Sequence, residues 1–211
     1  MSGDRDDFLL PLHRLELLSD LIFAIAMTIM VLTFDFPPEN LNRQGLLNFL
    51  AAQLPSLGIY LTSFVLVAFY WVSHLEQFKH YQKTDSVHIW LQLFSLLFIV
   101  LVPYINDILS YYPNDYIIQV IYSLVIFFVG ILSFFNWCYA TRDRKLVSET
   151  ISDAEIANIS RQSLIEPFIM LLAIAVGWIH PYAWYIASSL IVVIYPLQEN
   201  FFVKKSNKQE H

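Results

Sequence analysis

Arg14, Glu16, Ser19 and Asp20 stand within two helical turns of one another, at the head of an apolar run that closes at Phe34. At about 1.5 Å of rise per residue, Asp20 lies about 9 Å further along a helix than Arg14. Charge at that depth in a membrane is costly unless it is paired or hydrated, so Asp20 is a candidate functional residue. Two chemistries suit it: anchoring a polar network, or serving a proton or cation pathway together with His74 and Glu166. A plainer reading is that Arg14, Glu16 and Asp20 cap the entrance, where acids suit the helix dipole. Glu166, which precedes Pro167, reads in the same way as an entrance residue.

These residues are positioned by a chain built for lipid. The sequence has 211 residues, 57% hydrophobic and 14% charged, and its mean hydropathy is +0.54. That is more apolar and far less charged than soluble domains. Runs of about 20 apolar residues predict transmembrane helices over 13–34, 55–77, 87–109, 115–139, 163–179 and 182–203, the fifth having the shortest apolar centre. All of 1–211 reads as one six-helix domain. The tail ahead of Arg14 is acidic and too broken for a signal peptide. The single cysteine, Cys138, excludes disulfides and a Cys-based zinc site within one chain, and the net charge of −6 argues against nucleic acid.

Of the twelve Lys and Arg residues, Arg43 alone falls on the side opposite the tails. The positive-inside rule then places both termini in the cytoplasm. The segment 40–53 either lies at the outer interface or extends helix 2, with Pro55 as a kink. In the polar loop 141–162 a short helix is expected from near Ser152. Tyr111, Tyr112, Trp137, Tyr139, Trp178, Tyr182 and Trp184 read as interfacial belt residues.

Several function classes lack their marks. There is no TVGYG-like selectivity segment and no helix with a basic residue at every third position. No P-loop is present, nor paired Gly/Pro-broken helices. No metal-ligand spacing of His and carboxylates occurs inside a helix, and nothing supports an enzyme or a cofactor. On a helical wheel, Arg14, Leu18, Leu21, Ile25, Thr28, Ile29 and Leu32 share one stripe, whereas Asp20 lies on another flank with Ala24, Met27 and Val31.

The run Arg14-Leu15-Glu16-Leu17-Leu18-Ser19-Asp20, followed by Phe23, Ala24, Ile25, Ala26 and Thr28, resembles the Arg-x-x-x-Phe-Ser-Asp signature of the transmembrane protein 175 family of potassium channels. Leu18 replaces the signature's aromatic residue. Tyr70-Trp71-Val72-Ser73-His74 is similar to the family's Trp-x-x-His segment, and Trp90-Leu91 with Val102-Pro103-Tyr104 to its third helix. Helices 4 to 6 match in number and length only.

The resemblance implies an all-α membrane protein: a homotetramer of six-helix subunits in the cell membrane, with helix 1 lining a central pore. It further implies a potassium-selective or potassium-preferring leak channel, with potassium as the permeant ion and no carbonyl filter. By the family's spacing, Ile25, Ile29 and Leu32 are the constriction and Thr28 is the polar pore-lining residue. Arg14, Ser19, Asp20, Trp71 and His74 form a structural and gating network. A proton pathway or secondary cation transporter using Asp20, His74 and Glu166 stays open beside it, as does a membrane protein that conducts nothing.

Overall fold

The structure, a computed structural model, describes residues 3–191, with side chains from Pro11 onward. Its elements are α1 (Gly3–Ile29) with a 3-10 turn (Met30–Thr33), α2 (Arg43–Ala52), α3 (Leu54–Phe78), α4 (Ser86–Tyr111), α5 (Tyr116–Thr141), α6 (Asp153–Ser163) and α7 (Ile165–Gly177). A further helical segment covers 181–191. No strand occurs among the described residues; Tyr81 and Val147 form one isolated bridge.

Five stretches are long and apolar enough to cross a membrane: Pro11–Thr33, Leu54–Phe78, Ser86–Tyr111, Tyr116–Arg144 and Asp153–Gly177. Of the expected sixth helix, 192–203 lies outside the described residues. The tail ahead of Arg14 is helical: α1 is continuous from Gly3, and Pro11 falls inside it. The fifth expected helix is α7, and the short helix expected from near Ser152 is α6. Pro167 cannot donate to the carbonyl four residues back, and the chain divides into α6 and α7 at Leu164. Ser152 caps α6 by accepting from the Glu155 N–H at 3.2 Å. Likewise 40–53 is neither an extension nor a kink: α2 is a separate helix with no buried residue, and Pro55 sits in the first turn of α3, where its missing N–H costs nothing.

The core is shared by α1, α3, α4, α5, α7 and 181–191, with Met30, Val67, Ile99, Val102, Ile126, Met170 and Ala173 fully buried. Helix α7 comes close to α5: a Cβ added to Gly130 would lie 2.6 Å from Pro167 Cγ. A second cluster at the other end joins Leu12, Leu15, Phe78, Trp137, Leu146 and Ile159 under α6. This corrects two belt assignments. Trp137 is fully buried, its indole N–H donating to the Ile156 carbonyl at 3.2 Å, and buried Trp184 donates to Ser123 Oγ at 2.8 Å. Both rings face protein because their polar edges find acceptors there.

Candidate pore helix and its supporting network

Helix α1 has two faces. Leu12, Leu15, Ser19, Phe23, Ala26, Met30 and Thr33, three or four residues apart, are buried against the bundle. The opposite face carries Arg14, Leu18, Leu21, Ile25, Thr28, Ile29 and Leu32, all exposed. Ile25 is 55% exposed, Ile29 46% and Leu32 73%. The 3-10 turn matters here, because residues three apart eclipse in that geometry. Leu32 therefore stays in line with Ile29. The rise of about 2 Å per residue there also stretches Ile25 to Leu32 to about 12 Å, beyond the about 10 Å of a pure α-helix.

Thr28 Oγ1 donates to the Ala24 carbonyl at 2.7 Å. Its hydrogen is committed to the helix, so the oxygen lone pairs are what the exposed face presents. Beside this face a groove of about 420 Å³ runs between α1 and α4, lined by Ile25, Ile29, Leu32, Pro103, Tyr104 and Asp107 among others.

The buried face is held by polar contacts. Trp71 Nε1 of α3 donates to Asp20 Oδ1 at 2.9 Å. Ser19 Oγ donates to the Leu15 carbonyl at 2.8 Å and accepts from Gln92 Nε2 of α4 at 3.1 Å. The same Gln92 nitrogen lies 3.3 Å from His74 Nδ1, which accepts in the tautomer protonated at Nε2. Asn136 Nδ2 of α5 donates to Gln92 Oε1 at 2.9 Å. Gln92 thus joins four helices with both amide hydrogens and its oxygen engaged. The His74 ring is flanked by Phe23 and Phe78, with centroids at 5.5 and 4.1 Å. At the other end of α1, Asn106 Nδ2 donates to Thr33 Oγ1 at 3.2 Å.

The fold gathers Ser19, Asp20, Trp71 and His74 but leaves Arg14 out: among the described residues no hydrogen bond joins Arg14 to them, and it stands on the exposed face. Glu166 stands at a helix start, as expected, but is not solvated there. It is 2% exposed at the start of α7, with Oε1 lacking a hydrogen-bond partner, and no hydrogen bond among the described residues links it to His74 or Asp20. Gln92 and Asn136 were missed by sequence reasoning. The signal was there: His88, Gln92, Ser95 and Asn106 share one stripe of α4 with Ile99 and Val102, and polar side chains on one face of a spanning helix mark contact with other helices.

Just outside the span, Asp85 fixes the start of α4, accepting from the His88 N–H at 2.9 Å. Its second oxygen receives the Tyr139 hydroxyl at 2.7 Å and the Lys145 ammonium at 2.9 Å. Partial burial works to raise this carboxyl; the His88, Lys145 and Tyr139 donors outweigh it and bring the pKa down to about 2. Two turns of α4 separate this anchor from Gln92.

The family model described as endosomal/lysosomal potassium channel TMEM175 matches residues 14–103, the stretch from Arg14 through α3 to Pro103. A potassium channel of Streptomyces collinus is 30% identical over 152 residues, 70% of this chain and 73% of that one. The chain belongs to the TMEM175 family. A crystal structure of a Chamaesiphon minutus homolog of the lysosomal potassium-selective channel TMEM175 superposes with a TM-score of 0.78 at 25% identity. It covers 90% of this chain and 98% of its own. The endosomal/lysosomal proton channel TMEM175 of Danio rerio is 19% identical over 86% of this chain, which spans about a third of that relative (36%). TMEM175 proteins are ion channels, so this chain is a multi-pass channel protein and not an enzyme.

Proposed function

We propose that four copies of this TMEM175 chain surround a central pore with the exposed face of α1 turned inward, and that the pore conducts potassium selectively or preferentially as a leak channel. The observation that carries this is the division of α1: one face is packed against its own subunit, the other is left uncovered while bearing Arg14 and Thr28 among its apolar residues. Ile25, Ile29 and Leu32 then form stacked rings of four, with Thr28 oxygens between the first two. Isoleucine and leucine rings offer a cation no oxygen, so it passes hydrated or not at all, and such constrictions gate by dewetting. No carbonyl filter is needed in this arrangement. Ser19, Asp20, Trp71, His74 and Gln92 keep α1 in register from behind, and Arg14 stands at the mouth of the pore.

The whole chain acts as one channel domain. It sits in the cell membrane with both termini cytoplasmic, as the placement of the basic residues supports. A proton pathway is the second reading, favoured by one observation: buried His74 Nε2 and Glu166 Oε1 both lack partners. Against it stands the absence of any hydrogen-bonded path between them among the described residues. Native mass spectrometry of the detergent-purified protein tests the assembly, and monomers alone would remove the ring arrangement. Bilayer recording under opposed potassium and sodium gradients tests the permeant. A reversal potential near the potassium equilibrium value is expected, whereas one that tracks a pH gradient would favour the proton pathway.

A further inference from the structure

A second group of ionisable side chains lies outside the α1 network, where α3 ends beneath α6. Glu76, His80 and Glu155 each bring one ligand atom into a space in which all three lie within 4.8 Å of one another. His80 Nε2 is 3.5 Å from Glu76 Oε1 and 3.6 Å from Glu155 Oε1. We propose that these three residues form a binding site for a zinc-class divalent cation that fastens α6 to the end of α3.

The geometry suits such an ion. Zinc binds imidazole nitrogen and carboxylate oxygen at about 2.0–2.2 Å, and a tetrahedron of those bond lengths sets its donors roughly 3.3–3.6 Å apart. Both distances from His80 Nε2 fall in or at the edge of that interval, and they exceed what a well-formed hydrogen bond allows. The nitrogen is correspondingly without a hydrogen-bond partner, although the His80 side chain is only 12% exposed. One imidazole with two carboxylates favours Zn²⁺ or Co²⁺ over Mg²⁺ or Ca²⁺, which prefer all-oxygen shells. Glu155 is 44% exposed, so the fourth position opens to water.

The donors are also held in place. The Ser148 N–H donates to the His80 carbonyl at 3.1 Å, and the Gln82 N–H donates to the Leu146 carbonyl at 2.9 Å, pinning the turn after α3. The Trp137 ring stands edge-on to the imidazole at 6.0 Å. Ser152 fixes the first turn of α6, which carries Glu155. A nearby competitor is Lys79, whose ammonium is 3.4 Å from Glu76 Oε1. Sequence spacing hides the site, because His80 lies past the end of α3 and Glu155 comes from another helix.

The site stands apart from the channel reading and is tested by binding alone. Metal-free protein in detergent, carrying no polyhistidine tag, is titrated with Co²⁺ and followed by visible d–d absorption and equilibrium dialysis, with Zn²⁺ as competitor. The expected result is one saturable equivalent per chain, displaced by Zn²⁺. Glu155→Gln and His80→Gln should each weaken it by at least about tenfold, and Lys79→Met should leave it intact or tighten it. Glu155→Gln changes an exposed side chain, so it remains decisive should His80→Gln fold poorly. No saturable Co²⁺ binding by the wild type in the millimolar range would leave His80 as an ion-pairing residue and overturn the proposal. Undiminished binding in Glu155→Gln would overturn it equally.

Discussion

Replacing Gln92 by methionine keeps the length and approximate volume of the side chain while deleting three hydrogen bonds, those to Ser19, His74 and from Asn136. Side-chain hydrogen bonds inside membrane proteins average about 0.6 kcal/mol each in double-mutant cycles, so their loss alone comes to about 2 kcal/mol. The groups left behind are themselves buried: Ser19 and Asn136 fully, His74 nearly so. Ser19 Oγ keeps its bond to the Leu15 carbonyl, whereas His74 Nδ1 and Asn136 Nδ2 are stranded at about 1–3 kcal/mol apiece, so a total of between about 2 and about 6 kcal/mol is expected. Unfolding by SDS in mixed micelles, followed by near-ultraviolet circular dichroism, measures it. Asn136→Leu and the double variant complete a cycle, in which the double should cost less than the two singles together by about 0.6–1.7 kcal/mol. A Gln92→Met protein within about 0.5 kcal/mol of the wild type would refute the reasoning, since a surface substitution does as much. Strict additivity in the cycle would show that Gln92 and Asn136 act independently.

Trp71→Phe keeps an aromatic ring, smaller than the indole, and removes the N–H given to Asp20. Loss of a bond to a charged acceptor should destabilise the chain by about 1.5–3 kcal/mol in the same assay, with the reversal potential of any residual current unchanged. Gly130→Ala forces a methyl into Pro167 and should cost about 1–3 kcal/mol, again read from the unfolding midpoint. Asp85→Asn keeps a side-chain cap on α4 but removes the charge that meets Lys145. Because the folded Asp85 carboxyl sits at about 2, below its ordinary 3.8, its contribution is fully present above about pH 4 and is lost as pH falls through about 2. The stability gap between wild type and Asp85→Asn should therefore be constant near neutrality and close under acid; a gap that widens on acidification would contradict the sign.

Much of this fold can be read from hydropathy, because a span declares itself by length and composition over twenty residues at once. The breaks inside that pattern are harder. Pro167 lies in the first turn of α7, and its close approach to Gly130 of α5 shows only once the two helices are packed. Trp137 and Trp184 sit at helix ends, where composition favours an interfacial role; their burial depends on acceptors contributed by Ile156 and Ser123, distant in sequence. The exposed face of α1 was legible as a stripe of 3.6 period, since a helix that packs on one side repeats on the other. What the stripe faces is not a property of the helix that carries it. Within the network, Asp20 stood out because charge is rare in lipid. Gln92 and Asn136 did not, being neutral, and their role emerges only when four helices bring Ser19, His74, Gln92 and Asn136 to one point.

The central claim is that the uncovered face of α1 lines the conducting path and is narrowest at Ile25. Its most direct test compares potassium currents of wild type and Ile25→Asn, reconstituted at matched protein per liposome and fused to bilayers. A closed ring of isoleucines denies a potassium ion its hydration, and that lost hydration is the main barrier. Up to four asparagine oxygens at the same level should lower it, so Ile25→Asn should pass clearly larger currents, with Ile29→Asn and Leu32→Asn acting in the same direction but less. Equal currents from wild type and Ile25→Asn, in tetramers of equal yield, would place the narrowest point elsewhere and contradict the account.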